Sequence, residues 1–295
     1  VNHGKTDTNN TDTKRYIYAA LVIAVILVPT IFFVQSYFTG EGTPKAAIID
    51  QLGSSKLDEA IRDENQTFIN TAEQLIYKRF SVVDFYSNNA TVDQYRQLAS
   101  AGYRLIVWRA HTALDLNSEY VAISTTDKEG SINTNEYLRN GQQTLTLCNI
   151  TGDPTLYYGI TPDFIKEVMP GTFPDTVIVL MSCNGLNQGY LKTAQAFQAK
   201  GAKAVISWDG WISSSDNDMG MTLLLQRLID ENNTVSEATD DTSFFSHEFG
   251  YARLQYYPHE VGNYRIPDYR NIDVTHGQFV ASAPIQRLVR NQPNV

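Results

Sequence analysis

Cys183 and His111 are the two side chains of this sequence whose type and placement could do covalent chemistry. Each closes an apolar run: "RLIVWRA" stops at His111 and "VIVLMS" stops at Cys183. The thiolate is the nucleophilic form of cysteine, a free thiol ionises near pH 8.5, and an imidazole within reach can take its proton. The pair would suit attack on a carbonyl carbon, with backbone N–H groups beside the two residues holding the oxyanion. A helix expected after Asn187 would add its positive N-terminal end. Two blander readings stay open. Cys183 could be a small buried hydrophobe, or it could bridge to Cys148, the only other cysteine. Such a bridge would close a loop of about 35 residues and contribute about 3–4 kcal/mol on the loop-entropy model.

The elements that must position these residues alternate. The runs 46–50, 82–86, 103–111, 176–183 and 202–208 read as strands. Between them lie helical stripes: Phe68, Ala72, Leu75 and Ile76, then Val92, Tyr95, Leu98 and Ala99 between the Thr91/Gln94 cap and Gly102. A short helix opens at Thr161-Pro162 and ends at Pro170, and further helices carry Tyr190, Ala194 and Phe197 and then span 219–231. This order predicts an α/β fold with a mainly parallel sheet and right-handed crossovers. "LIVW", "VIVL" and "AVIS" are apolar on both faces, as central strands require. In such a sheet chemistry gathers at the carboxyl ends of strands about 4.8 Å apart, where both His111 and Cys183 fall. Residues 116–158 read as a β-rich insertion and 244–295 as an irregular C-terminal extension.

The segment 177–238 pairs "MSCNGLNQG" with a helix, "GAKAVISWDGW" and a second helix. It resembles the caspase-like cysteine peptidases, the group of caspases, gingipains, clostripain, separase and the CHAT peptidases. Their pattern is a Ser/Ala-Cys pair, a Gly-bearing loop, a helix, GA-x-x-V-I and a Trp-containing turn. Upstream of it, from about residue 46, the agreement is in the order of elements. The resemblance implies a three-layer caspase-like fold, with Cys183 as nucleophile and His111 as general base. The oxyanion would be held by the N–H groups of Thr112 and Cys183, and the bonds cut would be those of peptide or protein substrates. Thr112 stands where the group usually has Gly after the histidine. Met181, two before the cysteine, occupies a place where relatives can put a polar pocket residue. Asp209 could face the same pocket and pair with a basic side chain or be a solvated turn aspartate, and Trp208 could wall the pocket or belong to the core. The alternative function is a noncatalytic caspase-like scaffold for surface binding or assembly; self-association stays open.

Charge and motifs exclude other classes. A formal net charge of -9 argues against nucleic acid, which requires concentrated Lys and Arg. No phosphate-binding loop or dinucleotide fingerprint is present, so no cofactor is implied. His247-Glu248 and His259-Glu260 each lack a second histidine four residues on, so no metal site is expected, and His276-Gly277 follows the cysteine in the wrong order. Residues 16–40 carry no charge and are long enough to cross a bilayer as a helix. Lys5, Lys14 and Arg15 before that span keep residues 1–15 cytoplasmic and place 41–295 outside the cell membrane. Sequons at Asn65, Asn89, Asn149 and Asn232 suit an exported glycoprotein.

Overall fold

The computed structural model describes residues 43–246 and 249–270, and the backbone of two short strands at 272–273 and 278–279. The tail and apolar span, with His247, Glu248 and His276, lie outside the described residues. Among the described residues no helix is long and apolar enough to cross a membrane.

The chain enters β1 (Lys45–Asp50), then α1 (Gln66–Ile76), β2 (Val83–Tyr86), α2 (Val92–Gln97) and β3 (Tyr103–Arg109). A second group of strands follows: β4 (Thr112–Asp115), β5 (Tyr120–Lys128), β6 (Leu138–Arg139), β7 (Gln142–Gln143), β8 (Leu145–Asn149) and β9 (Leu156–Ile160). The alternation resumes with β10 (Val177–Met181), α3 (Lys192–Ala199), β11 (Ala204–Trp208), α4 (Ser214–Leu225) and α5 (Val235–Thr239), and closes with β12 (Ser243–Ser246) and β13 (Gly250–Tyr257). Seven strands make the central sheet in the order β12-β13-β11-β10-β3-β1-β2. The five from β2 to β11 run parallel, while β13 is antiparallel to both β11 and β12. The fold is α/β with a mixed, mostly parallel sheet.

Local chemistry explains the helices that flank it. Asn65 accepts the Phe68 N–H to start α1, and Thr91 accepts the Gln94 N–H to start α2. The stripe Phe68, Ile69, Ala72 and Ile76 is buried against one face of the sheet, together with Leu224 of α4 and Val235 of α5. Tyr95 of α2 and Phe197 of α3 pack with Trp108 on the other face. Helices therefore cover both faces, which is why the central strands are apolar throughout.

Three expectations shift. The β-rich insertion begins at Thr112 rather than 116, as a four-stranded antiparallel sheet ordered β4-β5-β9-β8. The helix read over 219–231 starts at Ser214, capped by Ser213, and its last turn widens to a π-helix over Gln226–Asp230. The extension from 244 is not irregular at its start. Its segment β13 alternates, burying Ala252 and Leu254 while Tyr251 stands 66% exposed, and this one-sided pattern lets it pair with β11.

Candidate active site

Because Met181 lies opposite Arg109 in the β10–β3 pairing, His111 and Cys183 leave neighbouring strands at the same level. Two bonds hold the ends together: the Ala110 N–H donates to the Met181 carbonyl (3.3 Å) and Thr112 Oγ1 donates to the Cys183 carbonyl (2.7 Å). The backbone of His111 is fixed by the buried Gln51, whose Oε1 accepts its N–H at 3.0 Å and whose Nε2 donates to the Thr125 carbonyl at 3.2 Å.

The two side chains lean on different loops. His111 Nε2 lies 2.9 Å from the Ile61 carbonyl, in the loop between β1 and α1. A carbonyl only accepts, so Nε2 carries the hydrogen and Nδ1 of the neutral ring keeps the lone pair. Cys183 Sγ sits 3.5 Å from the Ile212 N–H nitrogen and 3.4 Å from the Ile212 carbonyl oxygen, in the loop between β11 and α4. Among the described residues no hydrogen bond joins the imidazole to the thiol. Burial lowers the His111 pKa, opposed by the Ile61 carbonyl and reinforced by the Arg109 charge. Burial likewise raises the Cys183 pKa, with the Ile212 N–H partly opposing it. The resting pair is a thiol and a neutral imidazole.

Backbone donors complete the arrangement. Thr112 has an ordinary negative φ, so the strain that a β-branched residue would suffer in a glycine conformation does not arise. It opens β4 opposite Ile123, one step after the Ser124 N–H bonds the His111 carbonyl at 2.9 Å. In an antiparallel pair that parity points the Thr112 N–H away from β5. The Cys183 N–H has no partner among the described residues. The turn after it depends on Asn184 at φ 57° and on Gly185, where a Cβ would stand 2.1 Å from Ser207 Oγ. Ser182 Oγ and Asn184 Nδ2, on either side of Cys183, are buried with no partner among the described residues.

Other predicted residues are placed elsewhere. Met181 and Trp208 are each 0% exposed, so neither presents surface to a substrate; Trp208 Nε1 instead donates to Asn217 Oδ1 at 2.8 Å. Asp209 accepts the Arg253 N–H at 2.8 Å and Gln255 Nε2 at 3.4 Å, which ties its loop to β13. Trp211, one residue before Ile212, is the aromatic left 48% exposed on that loop. Asn65 Nδ2, the atom a glycan would occupy, donates to Asp218 Oδ2 at 2.8 Å, whereas Asn89, Asn149 and Asn232 are exposed. Cys148 is fully buried beside Gly159, its pKa pushed up to about 12 by burial, and both cysteines are free, which removes the bridge.

Sequence reasoning passed over Arg109, whose guanidinium is 0% exposed beneath the site. Nε and NH2 donate to the two oxygens of Asp218 at 2.7 and 2.9 Å. NH1 donates to Asp50 Oδ1 at 3.0 Å and to the Asp63 carbonyl at 2.5 Å, and NH2 also reaches Asp63 Oδ2 at 3.1 Å. The available signal was a lone cation inside the run "LIVWRAH". No family model matches the chain, and no curated protein matches it in sequence.

Proposed function

We propose that the chain is a caspase-like cysteine peptidase, anchored in the cell membrane through residues 16–40 with its α/β domain outside. The observation that carries this reading is the Ile61 carbonyl on His111 Nε2, 2.9 Å away. A catalytic base needs a third group to orient it, and this one leaves Nδ1 with the lone pair that a proton acceptor requires. In the reaction Nδ1 takes the Sγ proton as Sγ bonds to the substrate carbonyl carbon. The oxygen gains the negative charge within reach of the Thr112 and Cys183 N–H groups. Collapse breaks the C–N bond, the imidazolium returns its proton to the leaving amine, and water then hydrolyses the thioester.

The second reading, a noncatalytic scaffold, is favoured by one observation: imidazole and thiol each engage their own loop rather than one another. Apo sites often tighten only around substrate, so the peptidase reading keeps precedence. Incubating the full chain with a diverse peptide mixture and sequencing new termini by mass spectrometry decides between them. Cleavage by the native chain and none by Cys183→Ala is expected; no cleavage above the Cys183→Ala background would leave the scaffold.

A further inference from the structure

We propose that Arg109 is a positioning residue whose guanidinium joins the loop that orients His111 to the helix behind the loop that holds Cys183. The proposal rests on the peptidase reading for its kinetic consequence, and on geometry for the rest. Guanidinium has five N–H donors in a rigid fork. All five are used here, on Asp50, Asp63 and Asp218. A lysine has three donors and cannot reproduce that set.

The acceptors lie where both site loops are decided. Asp63 follows Ile61 by two positions, and its N–H closes the loop by donating to the Leu52 carbonyl at 2.9 Å. The Ile61 carbonyl that orients His111 therefore sits at the neck that Arg109 grips from below. On the far side, Asp218 belongs to α4, whose cap Ser213 directly follows Ile212, the partner of Cys183 Sγ. Asp218 also holds Asn65, the cap of α1, at 2.8 Å. One cation thus spans the strand β1, the loop over His111 and the helix behind Cys183. Among the described residues neither ring nor thiol hydrogen-bonds to it.

A purely stabilising role is a poor account of this cluster. Three carboxylates share one arginine, Asp50 and Asp218 being 3% and 5% exposed, and their desolvation offsets most of the attraction. Burial in fact raises the Asp50 pKa despite Arg109 beside it. What the network supplies that an apolar cluster could not is a fixed direction for each attached backbone segment.

The test reads the imidazole itself. In the full chain labelled with 15N-histidine, the His111 Nε2–H resonance, assigned by its loss in His111→Gln, should exchange slowly with solvent. Arg109→Lys, and Asp218→Asn at a residue that does not contact His111, should each speed that exchange at least about 10-fold. Peptide cleavage in the same variants should lose kcat by about 10-fold to 100-fold with KM nearly unchanged, as for a displaced catalytic group. Unchanged ring-proton exchange in a folded Arg109→Lys overturns the proposal; should that variant not fold, unchanged exchange in Asp218→Asn does so. If the native chain cleaves nothing, the peptidase reading fails, and the ring-proton result still decides whether Arg109 positions His111.

Discussion

Protonating His111 would place a cation in a desolvated site beside Arg109, and both effects lower its pKa below the ordinary 6.5. The folded state therefore binds this proton less readily than the unfolded chain. Its contribution to stability is fully present above pH 6.5 and is lost as pH falls through the folded value. Urea unfolding of the native chain and of His111→Gln between pH 7.5 and 5 should show the native chain losing stability faster. The difference in slope should approach at most about 1.4 kcal/mol per pH unit, the limit for one proton. Asp50, whose pKa is raised mainly by burial, contributes the opposite slope above pH 3.8, but equally in both proteins. Equal slopes would mean that the His111 ring is solvated rather than buried beside Arg109. The same shift has a kinetic face: Nδ1 stays unprotonated below pH 6.5, so the acid limb of any cleavage should lie there.

The turn that presents Cys183 is where element geometry is least forgiving. Strand β10 ends at Met181, and the chain must fold back against β11 so that the Leu186 N–H reaches the Trp208 carbonyl at 2.9 Å. Gly185 crosses the strand so closely that an added Cβ would meet Ser207 Oγ at 2.1 Å and Ser207 Cβ at 2.8 Å. Ser207 is buried, and its hydroxyl donates to the Leu180 carbonyl at 2.6 Å, so it cannot swing away. Gly185→Ala should cost about 1–3 kcal/mol in chemical denaturation, the range for overpacking. Adding Ser207→Gly should recover most of that; failure to recover would locate the strain elsewhere. The strands that carry His111 and Cys183 were legible because apolar runs end abruptly at both. Thr112 was legible only through the residue before it. Ile61 and Ile212 were not, since each acts through its backbone, which no side-chain type reveals. Arg109 was passed over although it is a charge within an apolar run, because its acceptors at 50, 63 and 218 share no spacing with it. The alternation in β13 is blurred in the sequence because its tyrosines, at 251, 256 and 257, fall on both parities.

At the scale of the whole molecule, the chain divides into residues 1–42 and a compact unit from Thr43 onward, and the proposed orientation puts the second outside the cell. Glycan attachment tests that orientation, because sequons are modified only in the exported compartment. Folded geometry adds a finer expectation. Asn65 uses Oδ1 to cap α1 and Nδ2 to bond Asp218, so a sugar on that nitrogen would break the contact with a residue that Arg109 also holds. Asn89, Asn149 and Asn232 are exposed and free of that conflict. The full chain made in eukaryotic cells should sediment with membranes through alkaline carbonate washing and shift on treatment with an N-glycosidase. Thr67→Ala, which removes the Asn65 sequon without touching the amide, should leave the size of the chain unchanged. Asn89→Gln, Asn149→Gln and Asn232→Asp should each reduce it by no more than one glycan, and together abolish the shift. A step lost with Thr67→Ala would contradict the Asn65–Asp218 contact. A chain that sediments with membranes but carries no glycan would place the domain on the cytoplasmic side, where its two free thiols would be protected from oxidation.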